Sequence, residues 1–218
     1  MGHLLRKPND ITVALVTGIH RFDVPGFHAA FRCMPDVDFY PQALEDFVAD
    51  HGRVRDEYDV IVFFHFHRTK PDNATVAAVE SLGETGQGVV VLHHALLAFP
   101  EWLLWSDICG ITDRTFGFYP DQTIPVHVAN PSHPITDSLT DWEMVDETYT
   151  MTDARSGSDI LLTTNHARSM RTLGWSRQYN NARVFCYQSG HDNHAYADHR
   201  FRSVLHRGIQ WVAGRDNG

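Results

Sequence analysis

Residues 58–66 read YDVIVFFHF, and residues 88–94 read GVVVLHH. Both runs are apolar without interruption at their centre and rich in β-branched residues. Alternation would mark a strand with one wet face, whereas a continuous run marks a strand covered on both faces. Strands of that kind belong to a parallel sheet with helices packed on either side. The flanking sequence agrees. Residues 11–16 (ITVALV) form a third such run, ending in Thr17-Gly18-Ile19-His20, and 37–40 a shorter one. Helical spacing predicts helices over 22–34, with Phe27, Ala30, Phe31 and Met34 on one face, and over 41–50, with Leu44, Phe47 and Val48. Further helices are predicted over 71–82, closed by Gly83, and over 95–105. Strand and helix alternate, which implies parallel strands joined by right-handed crossovers.

The second half changes character. Short strands are predicted over 124–129, 147–152, 159–163, 171–175 and 182–187, separated by turns such as Asn130-Pro131-Ser132-His133-Pro134 and Tyr179-Asn180-Asn181. An amphipathic helix over 199–212 buries Phe201, Val204, Leu205, Ile209 and Val212. No repeat, linker or low-complexity segment interrupts the chain, so residues 1–218 are read as one domain.

Charge narrows the function classes. Lys and Arg number 18 against 27 Asp and Glu, a net charge of −9, which is the wrong sign for a protein that binds nucleic acid by neutralising phosphates. Cys33, Cys109 and Cys186 are odd in number, far apart and without a CxxC pair, which fits a reducing compartment and neither a disulfide framework nor a cysteine zinc site. The start, MGHLLRKPND, has no apolar core of a signal peptide, and no apolar run approaches the roughly 20 residues of a membrane span. The reading is a cytoplasmic chain with no membrane and no nucleic-acid partner. Phe99, Trp102, Leu103 and Trp105 are read as a core helix, with a face for a second copy of the chain as the alternative.

The distinctive count is 15 histidines. In an open parallel sheet, ligands bind beyond the carboxyl ends of the strands. His20 follows the first predicted strand, His65 and His67 the third, His93 and His94 the fourth, and His191 with Asp192 the last. A single histidine there would be unremarkable; four strand ends delivering histidine to one edge point to an active or metal site. His65 and His67, two residues apart on an extended strand, share a face. With His20 they form the expected metal set, and neutral imidazole suits a divalent ion, zinc foremost. The alternative is a metal-free site in which these histidines bind substrate hydroxyls. Adjacent His93 and His94 point apart, so one reaches the site. Glu147 supplies a carboxylate to orient an imidazole or act as base. Asp141, Glu143 and Asp146 are read as a solvated acidic loop, and His3, His51, His199 and His206 as surface or helix residues.

Taken in order, several segments resemble the ThuA-like (trehalose utilisation) family of the class I glutamine amidotransferase-like superfamily. They are Tyr58-Asp59-Val60-Ile61-Val62, Gly88 through His93-His94-Ala95, His133-Pro134-Ile135-Thr136, Asp146-Glu147-Thr148-Tyr149, Arg183-Val184-Phe185 through Gly190-His191-Asp192, and Phe201-Arg202 through Gln210-Trp211. The resemblance implies a flavodoxin-like three-layer sandwich with a mostly parallel central sheet. It also implies carbohydrate metabolism, with a disaccharide or 3-keto-glycoside as substrate. It does not imply glutaminase activity: amidotransferases of this superfamily keep a nucleophilic cysteine after the strand that 88–92 occupies, and here His93-His94 stand there. Acid–base chemistry, with or without a metal polarising a carbonyl, is expected instead. His94, His191, Glu147 and His20 are the catalytic candidates. His93, His133 and Asp192 are candidates for binding substrate, and Trp175 and Tyr149 for stacking on a sugar or packing in the core. No nucleotide cofactor is expected. Two other readings remain: a non-catalytic sugar-binding or regulatory module, and a glutaminase using Cys109 or Cys186.

Overall fold

A computed structural model describes residues 10–215; the opening segment and His3 lie outside the described residues. Nine strands form a sheet in the order β2-β1-β3-β4-β9-β8-β7-β5-β6. The first half is as the buried runs predict. β1 (Ile11–Gly18), β2 (Val37–Ala43), β3 (Val60–His65) and β4 (Gly88–Leu92) are parallel, joined through α1 (Val24–Arg32), α2 (Leu44–Ala49) and α3 (Asn73–Thr85). β9 (Ala182–Tyr187) adds a fifth parallel strand beside β4.

The expected mostly parallel sheet is corrected to a mixed one. β8 (Thr172–Tyr179), β7 (Asp159–Thr163), β5 (Gly117–Val128) and β6 (Trp142–Thr150) extend it through four antiparallel pairings, as many as the parallel ones. The cause is connection length. Only Asn180-Asn181 separate β8 from β9, with Asn180 at φ 48°, and so short a link makes a hairpin and cannot make a crossover.

Side-chain alternation builds a separate core on each face, which makes three layers. Ile11, Val13 and Leu15 with Val60, Val62 and Phe64 pack under α1 and α6 (His199–Val212). Ala14, Val16, Ile61, Phe63, Val89 and Val91 pack under α2, α3 and α4 (Leu103–Cys109). The tight spots are set by glycine. A Cβ on Gly208 of α6 would lie 2.3 Å from the Phe185 ring of β9.

Three local expectations shift. The helix predicted over 95–105 is instead a 3-10 turn, His93–Leu97, and then α4, because Phe99 adopts φ 46° ahead of Pro100. Phe99 and Trp105 are core, while Leu103 is exposed. Pro41 does not start a helix but lies within β2, an edge strand where a missing N–H is tolerated. A short helix, α5 (Asn193–Ala197), follows His191; Asp192 caps it by accepting from His194 N at 2.8 Å. No helix among the described residues is long and apolar enough to cross a membrane.

Candidate active site at the carboxyl edge of the sheet

Four parallel strands end at one place, and their ends are sharply turned. β1 runs into Ile19, a β-branched residue at φ 67°, which swings His20 inward. β3 ends on His65 itself. β4 ends at Leu92, and His93 adopts φ 51° as the chain turns into its 3-10 segment. β9 leads through Gln188-Ser189-Gly190, with Gly190 at φ 118°, to His191. A left-handed backbone at a non-glycine residue costs of order 1–3 kcal/mol, and such residues cluster at functional sites.

The centre is His93. Its Nδ1 lies 2.7 Å from the Gln188 carbonyl. A carbonyl only accepts, so Nδ1 carries the proton and Nε2 presents a lone pair. The Tyr149 hydroxyl donates to that Nε2 at 2.7 Å, and the two rings stack at 4.9 Å. Nε2 also lies 3.2 Å from His191 Nδ1 and 3.5 Å from Glu147 Oε1, and those two atoms are 3.4 Å apart. Burial pushes the Glu147 carboxyl up, but the neighbouring His93 and His191 imidazoles prevail and hold it below its usual range. Burial, with Glu147 beside it, holds the Tyr149 phenol well above its ordinary value. The site therefore keeps a carboxylate and a protonated phenol side by side at neutral pH.

Asp146 is not on a solvated loop, which corrects the sequence reading. It is 1% exposed and accepts from Gly190 N at 2.7 Å, His191 N at 3.0 Å and Glu147 N at 2.9 Å. These bonds pin β6 against the loop after β9. Gln188 Nε2 adds a bond to the Glu147 carbonyl at 3.0 Å, and Tyr196 OH donates to the His191 carbonyl at 2.8 Å. Asp141, by contrast, is exposed and pairs with His127.

His20 and His94 stack at 4.1 Å, and His20 meets His191 edge-on at 5.6 Å. His94 lies beneath His20, with both ring nitrogens buried and without a partner in hydrogen-bond geometry. His93, the other member of the pair, is the one that reaches Glu147 and His191. Burial first, then the neighbouring imidazoles, lowers the pKa of His20 and sets His94 well below its usual value. His65 Nδ1 meets His67 Nδ1 at 3.2 Å, burial lowers His65 to about 3, and His67 pairs with Glu45 at 3.0 Å. Among the described residues, two groups bring three ligand-type atoms within 4.8 Å of one another: His93, Glu147 and His191, and the more exposed Asp121, Asp192 and His194. The expected trio of His65, His67 and His20 is not one of them.

Two candidates lie elsewhere. His133, a candidate for binding substrate, instead packs on Trp211 near the end of α6 and approaches Ser176 Oγ at 3.3 Å. Trp175 is fully buried and donates to the Cys109 carbonyl at 2.8 Å. Sequence reading missed the aromatic wall. Phe66 lies edge-on to His94 and His20, and Phe116 edge-on to Tyr149. The Arg68 guanidinium caps both rings, 5.5 Å from Phe66 and 5.3 Å from Phe116. The proximity of Phe66-His67-Arg68 to the His65 strand end was the available signal.

The model of the ThuA family, described as trehalose utilisation, matches residues 48–212. The chain belongs to that family. Two solved ThuA-like proteins resemble this ThuA-family chain in fold. One, from Parabacteroides merdae, has 22% identity and a TM-score of 0.74, covering 96% of this chain and 92% of that one. The other, from Bacteroides uniformis, has 19% identity and a TM-score of 0.71, covering 99% and 96%. A protein from Thermoplasma acidophilum described as part of a GMP synthase shares the fold at 10% identity and a TM-score of 0.56, covering 94% and 95%. No curated protein matches the ThuA-family chain.

Proposed function

We propose that this ThuA-family chain is an enzyme that moves a proton on a small carbohydrate, a disaccharide or 3-keto-glycoside, at the carboxyl edge of its sheet. The observation that carries the reading is the joint placement of Glu147, Tyr149, His191 and His20 around His93. His191 is a donor able to hold a carbonyl or hydroxyl oxygen, and the Tyr149 hydroxyl becomes one when it turns from His93 Nε2 to the substrate. His20, kept neutral by partial burial, is free to accept a proton. A C–H beside a carbonyl is acidic enough for an imidazole to remove it once the oxygen is held, and elimination of a glycosidic group and isomerisation both begin that way. Glu147 orients His93 and His191 and balances charge that develops on them. Phe66 and Phe116, set edge to face at 6.5 Å with Arg68 over both rings, offer an apolar wall with a donor rim for a sugar ring.

Thiol chemistry is a poor alternative. Cys109 and Cys186 are buried, and burial pushes the Cys186 thiol well above its ordinary value. With all three cysteines unpaired, we place the chain in the cytoplasm. The test is incubation with a panel of glycosides and their 3-keto forms, followed by mass spectrometry. Turnover by wild type that falls at least about a hundred-fold in His191→Ala and His20→Ala supports the reading. Binding without turnover would favour a sugar-binding module instead.

A further inference from the structure

We propose that His93 Nε2, Glu147 Oε1 and His191 Nδ1 form a tetrahedral site for a divalent cation, zinc fitting best, with its fourth position beside the Tyr149 hydroxyl. The first argument is metric. The three atoms make a nearly equilateral triangle with edges of 3.2, 3.5 and 3.4 Å. Tetrahedral ligand atoms stand about 1.6 bond lengths apart, and Zn–N and Zn–O bonds are about 2.0–2.1 Å, which gives edges of about 3.3–3.4 Å. An octahedral magnesium site at about 2.1 Å would need edges near 3.0 Å. Two imidazoles and one carboxylate are also a donor set suited to zinc.

The second argument is orientation. A ligating imidazole commonly donates its other N–H to a carbonyl or carboxylate, which fixes tautomer and ring plane. His93 does this through Nδ1 to Gln188 O, so Nε2 carries the lone pair, which accepts from the Tyr149 hydroxyl until an ion takes that place. The third is rigidity. Asp146 holds the backbone N–H groups of both Glu147 and His191, so two ligands from distant strands share one clamp. The ion would replace the histidine set expected from sequence with one that spans the turn after β4, β6 and the loop after β9.

The cation site is the same edge as in the functional reading but does not rest on that reading, because binding is measured without substrate. The full chain, produced without a polyhistidine tag and stripped with a chelator, is titrated with zinc chloride against a chromogenic chelator. We expect one tight equivalent per chain. Glu147→Gln and His191→Ala should each weaken it by at least about a hundred-fold. His67→Ala, and Asp192→Asn in the second acidic group, should leave it unchanged. Cobalt(II) added to stripped wild type should give the intense visible bands of tetrahedral coordination. No tight binding, binding that survives Glu147→Gln, binding lost instead in His67→Ala or Asp192→Asn, or weak octahedral cobalt bands would each overturn the proposal. Tight binding without turnover keeps this proposal and sinks the enzymatic one.

Discussion

Replacing Asp146 by Ala should disturb the protein more than any other acidic substitution on β6. The carboxylate accepts three backbone N–H bonds and is essentially enclosed. Hydrogen bonds to a charged acceptor contribute about 1.5–3 kcal/mol each, and a buried donor left unpaired costs a similar amount. Against this stands the cost of burying the charge, which shows as a carboxyl raised above its usual range by desolvation despite its three donors. Water entering the loop after β9 would also restore some bonding. Balancing these, we expect a net loss of about 3 kcal/mol. For a chain of this length that is a fall in Tm of roughly 6–12 °C, read by circular dichroism. Asp146→Asn keeps the shape and part of the acceptor capacity and should fall between wild type and Ala. Asp141→Ala, which removes an exposed pair, should change Tm by no more than about 2 °C. A drop in Asp146→Ala no larger than that in Asp141→Ala would refute the clamp.

Other outcomes follow from packing and titration. Gly208→Ala would ordinarily gain about 1 kcal/mol of helix propensity. Here the added methyl meets the Phe185 ring, so a net loss of about 1–2 kcal/mol is expected in urea unfolding, relieved in Gly208→Ala/Phe185→Leu. His65 has a folded pKa of about 3, below its unfolded value of about 6.5. Its neutral form therefore contributes stability in full above about pH 6.5, and that contribution is lost as pH falls toward about 3. His65→Phe should flatten the acid limb of the stability profile across that window, and an unchanged limb would contradict the assignment.

The parallel half of the fold was legible because burial on both faces writes itself as uninterrupted Val, Ile and Phe, as in residues 60–64. Strand ends then located His20, His93 and His191. The antiparallel half was mistaken even though its signal was present: a two-residue Asn180-Asn181 link admits only a hairpin. Other features were hidden for physical reasons. Asp146 looks like any surface acid until the loop after β9 brings two N–H groups to it, and only tertiary structure does that. Pro41 resembles a helix start because nothing local shows that β2 is an edge strand. His93 and His94 are equivalent in sequence. The left-handed turn at His93 decides which ring meets Glu147 and which is stacked under His20.

On the proposed function, this edge moves a proton on an oxidised sugar. Hydrogen–deuterium exchange beside the carbonyl of a 3-keto-glucoside, followed by NMR in D2O with and without added zinc, tests it before any bond in the sugar need break. Wild type should incorporate deuterium at that carbon well above the protein-free rate, and His20→Ala should lose most of the acceleration. Exchange at the protein-free rate with folded wild type, under both conditions and across the glycoside panel, would contradict it.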